Sequence, residues 1–474
     1  MGGRVLSVAS ECVPLIKTGG LADVVGALPA ALAPLGWHMR TLLPAYPALA
    51  PHLAQMTPVL RLPDLFGGPA RVMAGQVAGL DLLLLDAPHL FARQGGPYSN
   101  AQGDYPDNPQ RFAALSWVAA QIAREGVDGW KPDILHGHDW QAGFAPAYLR
   151  YHGTGGAASV ITIHNIAFQG WADGALIDDL RLPRAAFTPD ALEYYGGLAS
   201  LKAALVTADA ITTVSPNYAA EIMRPEFGMG LQGVIAARAA DVSGILNGVD
   251  AAVWSPLREA IPYSARDMGG KAQNKAALMA DLKLRFDGPL AILVSRLTTQ
   301  KGIDLVLDAI PEFLQSGGGL AVLGAGDPAF ELSLRALAAQ YPAQVSVKIG
   351  YDEAYSHRLF AGGDMVLVPS RFEPCGLTQM YGLAYGTLPV VAAVGGLADT
   401  VIHARPAALS AGAATGVVFQ PVDAMGFAGA LRGALRLYHQ PAVWAQMQRA
   451  AMASDLGWAR AAGEYAALYQ RLIA

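Results

Sequence analysis

The stretch PSRFEPCGLTQ, Pro369 to Gln379, follows a short apolar strand, Met365 to Val368, and leads into a helical segment from about Gly376 to Tyr385. A strand that turns sharply into a helix aims free backbone N–H groups, and the positive end of the helix dipole, at whatever lies beyond the sheet. Anions bind readily at such a turn. This one also carries a cation (Arg371), an acid (Glu373) and a thiol (Cys375) within five residues. The combination suits chemistry on a phosphorylated ligand.

Outward from that turn, short runs rich in Val, Ile and Leu alternate with helical stretches. Arg4–Ala9, Arg40–Leu43, Leu82–Asp86, Ile134–Gly137, Val160–His164 and Ile211–Val214 make a first set. Ile245 begins a second, which continues through Leu290–Ser295, Leu320–Leu323, Val345–Ile349, Met365–Val368, Pro389–Ala392 and Val417–Phe419. Strands alternating with helices predict parallel sheets covered on both faces. The fold class is therefore α/β, with two doubly wound, Rossmann-like domains and ligands expected beyond the carboxyl ends of the strands. SGILNGVD, with Asn247-Gly248 as its turn, marks the link, which sets the domains at 1–243 and 244–454. The final helical stretch, Gly457 to Leu472, has apolar residues at helical spacing and so packs on something, but periodicity does not say on which domain.

Composition bounds the partners. A chain of 474 residues exceeds one ordinary core, and 53% hydrophobic with 15% charged residues fits large buried sheets. A net charge of −5 argues against nucleic acid as partner. Two cysteines, Cys12 and Cys375, exclude a disulfide framework and fit a reducing compartment, so the cytoplasm is the expected location. The N-terminus reads as a first strand rather than a signal peptide, and no apolar run approaches the length of a membrane span.

Several further motifs admit two readings. Lys17-Thr18-Gly19-Gly20 opens a helix, and a lysine beside a glycine turn there is a phosphate or oxyanion cradle, or else a solvated loop. The pentapeptide GGLAD stands at Gly19–Asp23 and again at Gly395–Asp399, once in each half, which favours a shared cleft over two chance helix starts. Arg296 and Lys301, in SRLTTQKG, fit the neighbouring phosphates of a diphosphate, with surface decoration as the plainer reading. Gly324-Ala325-Gly326 is only a fragment of a dinucleotide fingerprint. LHGHDWQAG carries His136, His138 and Asp139, and His164-Asn165 follows a later strand. His-x-His on one strand face suits a metal, but no acidic residue completes a ligand set by spacing, so no metal is expected. Tyr98, in the loop from Gly95 to Asn108, and Trp140 either stack on sugar rings or anchor their loops.

KTGGLADV, HGHDWQAG, SRLTTQKG and PSRFEPCGLTQ, in this order and spread over both halves, make the chain resemble the bacterial glycogen synthases, relatives of the plant starch synthases. The resemblance implies a GT-B type glycosyltransferase whose domains face across a cleft. It implies transfer of glucose from ADP-glucose to the non-reducing end of an α-1,4-glucan such as glycogen, with retained configuration, no cofactor and no metal. It also places the last helix, 455–474, back on the N-terminal domain. Carried over by motif, Lys17, Gly19, Gly20 and Asp23 would meet the donor, and Arg296 and Lys301 would neutralise its diphosphate. Glu373, Cys375, Gly376, Leu377 and Thr378 would line the glucose and phosphate pocket, and Tyr351, in IGYDEA, would lie beside the adenine. Asp139, His164, Asn165 and Tyr98 would border the glucosyl and acceptor side, with Asn247 joining the substrate-binding set. Glu373, Arg296, Lys301 and His164 would be the catalytic groups. Where related GT-B enzymes carry the second glutamate of Glu-x7-Glu, this chain has Tyr381. The implied partners are ADP-glucose, ADP and a glucan, with neither nucleic acid nor membrane. The competing readings are a UDP-glucose-dependent glucosyltransferase, a nucleotide-sugar epimerase, a phosphorylase (no pyridoxal phosphate lysine motif is seen) and a non-catalytic glucan-binding protein.

Overall fold

The computed structural model of the protein describes residues 2–153 and 155–474. It divides into two compact units, Met1–Gly248 with Trp458–Ala474, and Val249–Gly457. The first is built on a nine-stranded sheet. Its spatial order is Val242–Gly244, Ala210–Thr213, Ala158–Ile163, Ile134–His138, Arg4–Val8, His38–Pro44, Leu80–Asp86, Ala70–Val77 and Thr57–Leu62. The last two strands join antiparallel and the other seven run parallel. Parallel strands are covered on both faces, which is why Ile134–His138 is buried at every position.

Two corrections to the strand set follow. The antiparallel pair Thr57–Leu62 and Ala70–Val77 has no counterpart in the expected strands. Thr57–Leu62 buries only its last residue, so it lacks the continuous apolar run that marks a central parallel strand. Val242–Gly244 pairs in register with Ile211–Thr213, so the chain near Ile245 closes the first sheet rather than opening the second. The boundary therefore moves from 243/244 to between Gly248 and Val249.

The order of the first sheet reverses between Arg4–Val8 and Ile134–His138. In open α/β sheets the ligand crevice lies outside the carboxyl ends of the strands at such a reversal. The residues that follow these two strands are Ala9-Ser10-Glu11 and Asp139-Trp140.

The second unit holds a six-stranded, wholly parallel sheet. Its order is Val345–Ile349, Gly319–Gly324, Leu290–Val294, Met365–Val368, Leu388–Ala392 and Val417–Phe419. Here the reversal falls between Leu290–Val294 and Met365–Val368. SRLTTQKG and PSRFEPCGLTQ are the two segments that leave those strands.

The last helix, Trp458–Ile473, belongs to the first unit and buries Ala461, Ala462, Tyr465, Leu468 and Tyr469. Tyr469 meets Trp37 edge to face at 5.2 Å. Each large apolar side chain buried this way contributes roughly 1.5–3 kcal/mol. Among the described residues, no helix is long and apolar enough to cross a membrane.

Candidate active site

In the second unit, Gly302 (φ +70°) packs so tightly that a Cβ there would lie 2.1 Å from the Pro369 carbonyl oxygen. Only glycine meets both demands, and the contact lays SRLTTQKG against the PSRFEPCGLTQ turn. The Gln300 amide donates to the Phe372 carbonyl, and the Arg371 N–H to the Gln300 carbonyl, both at 2.9 Å. Lys301 Nζ then reaches Glu373 Oε2 at 2.5 Å, and Ser370 Oγ donates to the same oxygen at 2.9 Å. Glu373 is buried, and a buried carboxylate needs this pairing.

The other two arginines of these segments differ sharply. Arg371 is a brace: it forks onto Asp304 at 2.8 and 2.5 Å and holds that carboxyl below its ordinary range. Arg296 is exposed and has no carboxylate partner among the described residues, bonding only Gln300 Oε1, at 3.4 Å. It is a cation left available to an anion.

Gln379 Nε2 donates to the Cys375 and Gly376 carbonyls at 2.9 and 2.8 Å and closes the turn in which Gly376 takes φ +71°. The helix Thr378–Tyr385 begins there, and its first N–H groups have no intrahelical acceptor. Beneath the turn lies the second GGLAD. A Cβ on Gly395 would sit 2.0 Å from the Glu373 carbonyl oxygen, and one on Gly396 2.1 Å from that of Cys375. These glycines bring chain against chain, so the second copy of the repeat packs against the Glu373 turn. Gly324 and Gly326 do the same for the Arg296 loop, with a Cβ falling 2.1 and 2.3 Å from the Ser295 and Leu297 carbonyl oxygens.

In the first unit the organising group is Glu11, which the sequence reading passed over. It is buried just beyond the first strand and accepts from the Thr18 N–H, from Thr18 Oγ1 at 2.6 Å, from the Gly19 N–H at 3.2 Å and from the Tyr98 hydroxyl. Two amides of the expected oxyanion cradle are thus already bonded to a carboxylate of the chain itself, and Lys17 pairs with Asp23 at 2.7 Å. The only local signal for Glu11 was a charged residue three positions beyond the end of an apolar strand. Tyr98 and Trp140 both pack on Phe112, at 5.9 and 4.9 Å between ring centres.

Asp139 takes φ +55° and ψ −167°, a conformation that costs a non-glycine residue about 1–3 kcal/mol. Its carboxylate accepts the His164 N–H at 2.6 Å and the Asn165 N–H at 3.3 Å. Burial pushes its pKa up to about 7, against the pull of those two amides. His164 is buried, its ring pKa lowered to about 3 by desolvation, and its Nε2 lies 3.0 Å from His138 Nδ1. Asn247 is buried with its Oδ1 unpartnered among the described residues.

Within each unit the expected residues largely converge. Glu373, Lys301, Arg296 and the Cys375–Thr378 turn share one sheet reversal; Lys17, Gly19, Asp23, Tyr98, Asp139 and His164 belong to the segments around the other. Tyr351 stands apart, 79% exposed after the edge strand Val345–Ile349, its hydroxyl donating to Glu353 at 2.7 Å. Tyr381 stacks on Trp254 at 3.7 Å, and Trp254 in turn on His357 at 4.1 Å, a sandwich with no sequence signal. Among the described residues no group of three or more His, Cys, Asp or Glu is arranged to hold a metal ion.

Residues 4–237 match the family model described as the starch synthase catalytic domain, and residues 274–450 match glycosyl transferases group 1. The chain is 65% identical over 473 residues to a glycogen synthase of Cereibacter sphaeroides, covering 100% of this chain and 99% of the relative. It is 56% identical over 474 residues to a glycogen synthase of Paracoccus denitrificans, with 99% and 100% covered. Among solved structures it is similar to the catalytic domain of starch synthase IV from Arabidopsis thaliana bound to ADP and acarbose, with a TM-score of 0.87, 31% identity and 100% of each chain covered.

Proposed function

The chain belongs to the glycogen and starch synthase family and is an ADP-glucose-dependent glucosyltransferase of glycogen synthesis, and from that premise we propose how its residues carry the reaction. The acceptor is the non-reducing end of an α-1,4-glucan, and the new bond keeps the anomeric configuration of the donor. The observation that carries the assignment is the pairing of Lys301 with Glu373 beside the exposed, carboxylate-free Arg296.

Departure of ADP puts negative charge on the diphosphate and positive charge on the sugar ring. Arg296, Lys301 and the N–H groups at Gly376, Leu377 and Thr378 stabilise the first, with Cys375 lining the same turn. Donors placed in advance act where charge develops and need no reorganisation, each typically contributing about 10²–10³-fold. Because these cations carry the charge, the route calls on no divalent ion and no cofactor. Tyr351 covers the adenine, and Lys17, Gly19, Gly20 and Asp23 belong to the substrate-binding set. Binding of ADP by the Arabidopsis starch synthase supports an adenine nucleotide here.

Glu373 binds glucose hydroxyls rather than attacking C1. Its Oε2 is held by Lys301 and Ser370 beside a helix start, which fixes the carboxyl group in place to receive hydroxyls. In the front-face route the C1–O bond to phosphate breaks as the acceptor hydroxyl oxygen bonds C1 on the same face, and the hydroxyl proton passes to the departing phosphate oxygen. His164, Asp139, Asn165, Tyr98 and Asn247 hold the glucosyl and acceptor side. The cytoplasm, where a nucleotide sugar is at hand, is the proposed location. No observation favours a UDP-glucose enzyme or an epimerase.

The test is ADP release from ADP-glucose with glycogen, run beside UDP-glucose and repeated with a chelator. Arg296→Ala and Lys301→Ala should each lower kcat by about 10²-fold or more with the fold intact. Wild-type turnover in both variants would sink the phosphate assignment.

A further inference from the structure

His138 is wholly buried on the strand Ile134–His138 and has no role in the reaction as set out above. It shares a strand face with His136, and the two rings lie 4.2 Å apart, tilted by 34°. His136 has both nitrogens bonded, Nδ1 with the Tyr469 hydroxyl and Nε2 with Thr162 Oγ1, each at 2.6 Å. His138 has one bond, Nδ1 to His164 Nε2 at 3.0 Å, and its Nε2 is buried without a partner among the described residues.

That asymmetry decides which way the bond between the two rings points. Burial beside two other imidazoles drives the His138 pKa well below its ordinary value, so the ring is neutral and carries one N–H and one lone pair. If His164 donated from Nε2, the single proton of His138 would sit on Nε2 as a buried donor facing nothing. If His138 donates from Nδ1, the orphan is only a lone pair. Buried N–H groups without acceptors are the rarer of the two defects, and leaving one unmade is costly. Tautomers are set by the network in this way rather than seen directly.

We infer that His138 is a positioning residue: it donates Nδ1–H to His164 Nε2 and so holds His164 in the Nδ1–H tautomer. His164 then offers a hydrogen-bond donor, and no lone pair, to an oxygen of the substrate. It cannot take up a proton at Nδ1, so it serves as a neutral donor and not as a general base. This rests on the assignment of His164 to the glucosyl side, yet the tautomer can be measured without any turnover.

The experiment is a two-bond proton–nitrogen correlation spectrum of the full chain labelled with ¹⁵N-histidine near pH 7.5, with the His164 signals identified by their loss in His164→Gln. The expected pattern for His164 is a protonated Nδ1 and a bare Nε2, the minority form of a free imidazole side chain. His138→Phe keeps the ring volume but removes the donor. It should shift His164 toward Nε2–H and lower kcat about tenfold, the worth of one hydrogen bond, with KM for the donor changed less. His138→Asn, whose amide N–H can stand where Nδ1–H stood, should restore both the tautomer and most of kcat. A wild-type His164 protonated at Nε2 or at both nitrogens overturns the inference. So does a His138→Phe enzyme with unchanged His164 signals and kcat. Should His138→Phe not fold, the wild-type and His138→Asn spectra decide the matter alone. The expected tautomer in a protein without ADP-glucose activity would sink the functional reading and leave this one standing.

Discussion

At Gly19 an added Cβ would meet nothing within 4 Å, whereas at Gly396 it would fall 2.1 Å from the Cys375 carbonyl oxygen, although both glycines belong to the same five residues, GGLAD. In the first copy both glycines are exposed: Gly19 has extended backbone (φ −153°) and gives its N–H to Glu11, and Asp23 pairs with Lys17. In the second copy both glycines are buried, and the Gly396 N–H is shared between the Glu373 and Pro374 carbonyls at 3.1 and 3.2 Å. A glycine pair at a helix start therefore means open backbone in one place and dense packing in another. What differs is the segment lying opposite. The second copy supports the turn that carries Glu373.

The strongest way to break this comparison is Gly396→Ala. Its Cβ would also lie 2.6 Å from the Cys375 Cα, so backbone must move and the Glu373 turn moves with it. Displacements near 1 Å at reacting groups cost on the order of 10²-fold in rate, and overpacking costs about 1–3 kcal/mol. Steady-state kinetics and urea unfolding of the variant measure both; near-normal kcat would remove the scaffold role.

A second, intermediate test compares what the units bury. The first holds three neutral histidines with folded pKa values below the ordinary 6.5: His136 and His164 at about 3, and His138 well below its usual value. Their stabilisation is present above about pH 6.5 and is lost as pH falls from there toward 3, at up to about 1.4 kcal/mol per pH unit for each. Asp139 runs the other way. Its folded pKa of about 7 lies above the ordinary 3.8, so falling pH relieves its burial over the same range and offsets one of the three. In the second unit only His403 has a lowered imidazole. The buried Lys271, lowered from 10.5 to about 7, loses its contribution between those two values and is already charged in both states below them. Hydrogen exchange at pH 7 and pH 5 should therefore show the first unit loosening more than the second, and more steeply in Asp139→Asn. Equal loosening of both units would contradict the asymmetry.

The smallest effect belongs to Gly19→Ala. An extended φ suits any residue and the site is open, so stability should stay within about 0.5 kcal/mol. A selective rise in KM for ADP-glucose, with kcat kept, would sharpen the contrast by showing that this open backbone faces the donor. A stability loss as large as that of Gly396→Ala would erase it.

Much of this was legible along the chain. Apolar runs separated by helical stretches announced two doubly wound sheets, and Arg296, Lys301 and Glu373 were identifiable along the chain as groups at strand ends. The edge pair Thr57–Leu62 and Ala70–Val77 was not, because a half-solvated strand has no continuous apolar run. Glu11 belongs to no motif, and the Trp254 stack left no trace in any.

By itself the order of residues determined the class of fold and which charged side chains leave the strand ends, since periodicity and turn chemistry act over a few neighbouring residues, whereas the two sheet reversals came from the strand order of the folded sheets. Only the tertiary structure decided that Glu11 occupies the Thr18 and Gly19 amides, that Gly395 and Gly396 carry the Glu373 turn, and that His138 holds His164. Such pairings join residues as far apart as His136 and Tyr469, 333 positions along the chain. They follow from which segments the packed sheets bring face to face, a property no local pattern contains.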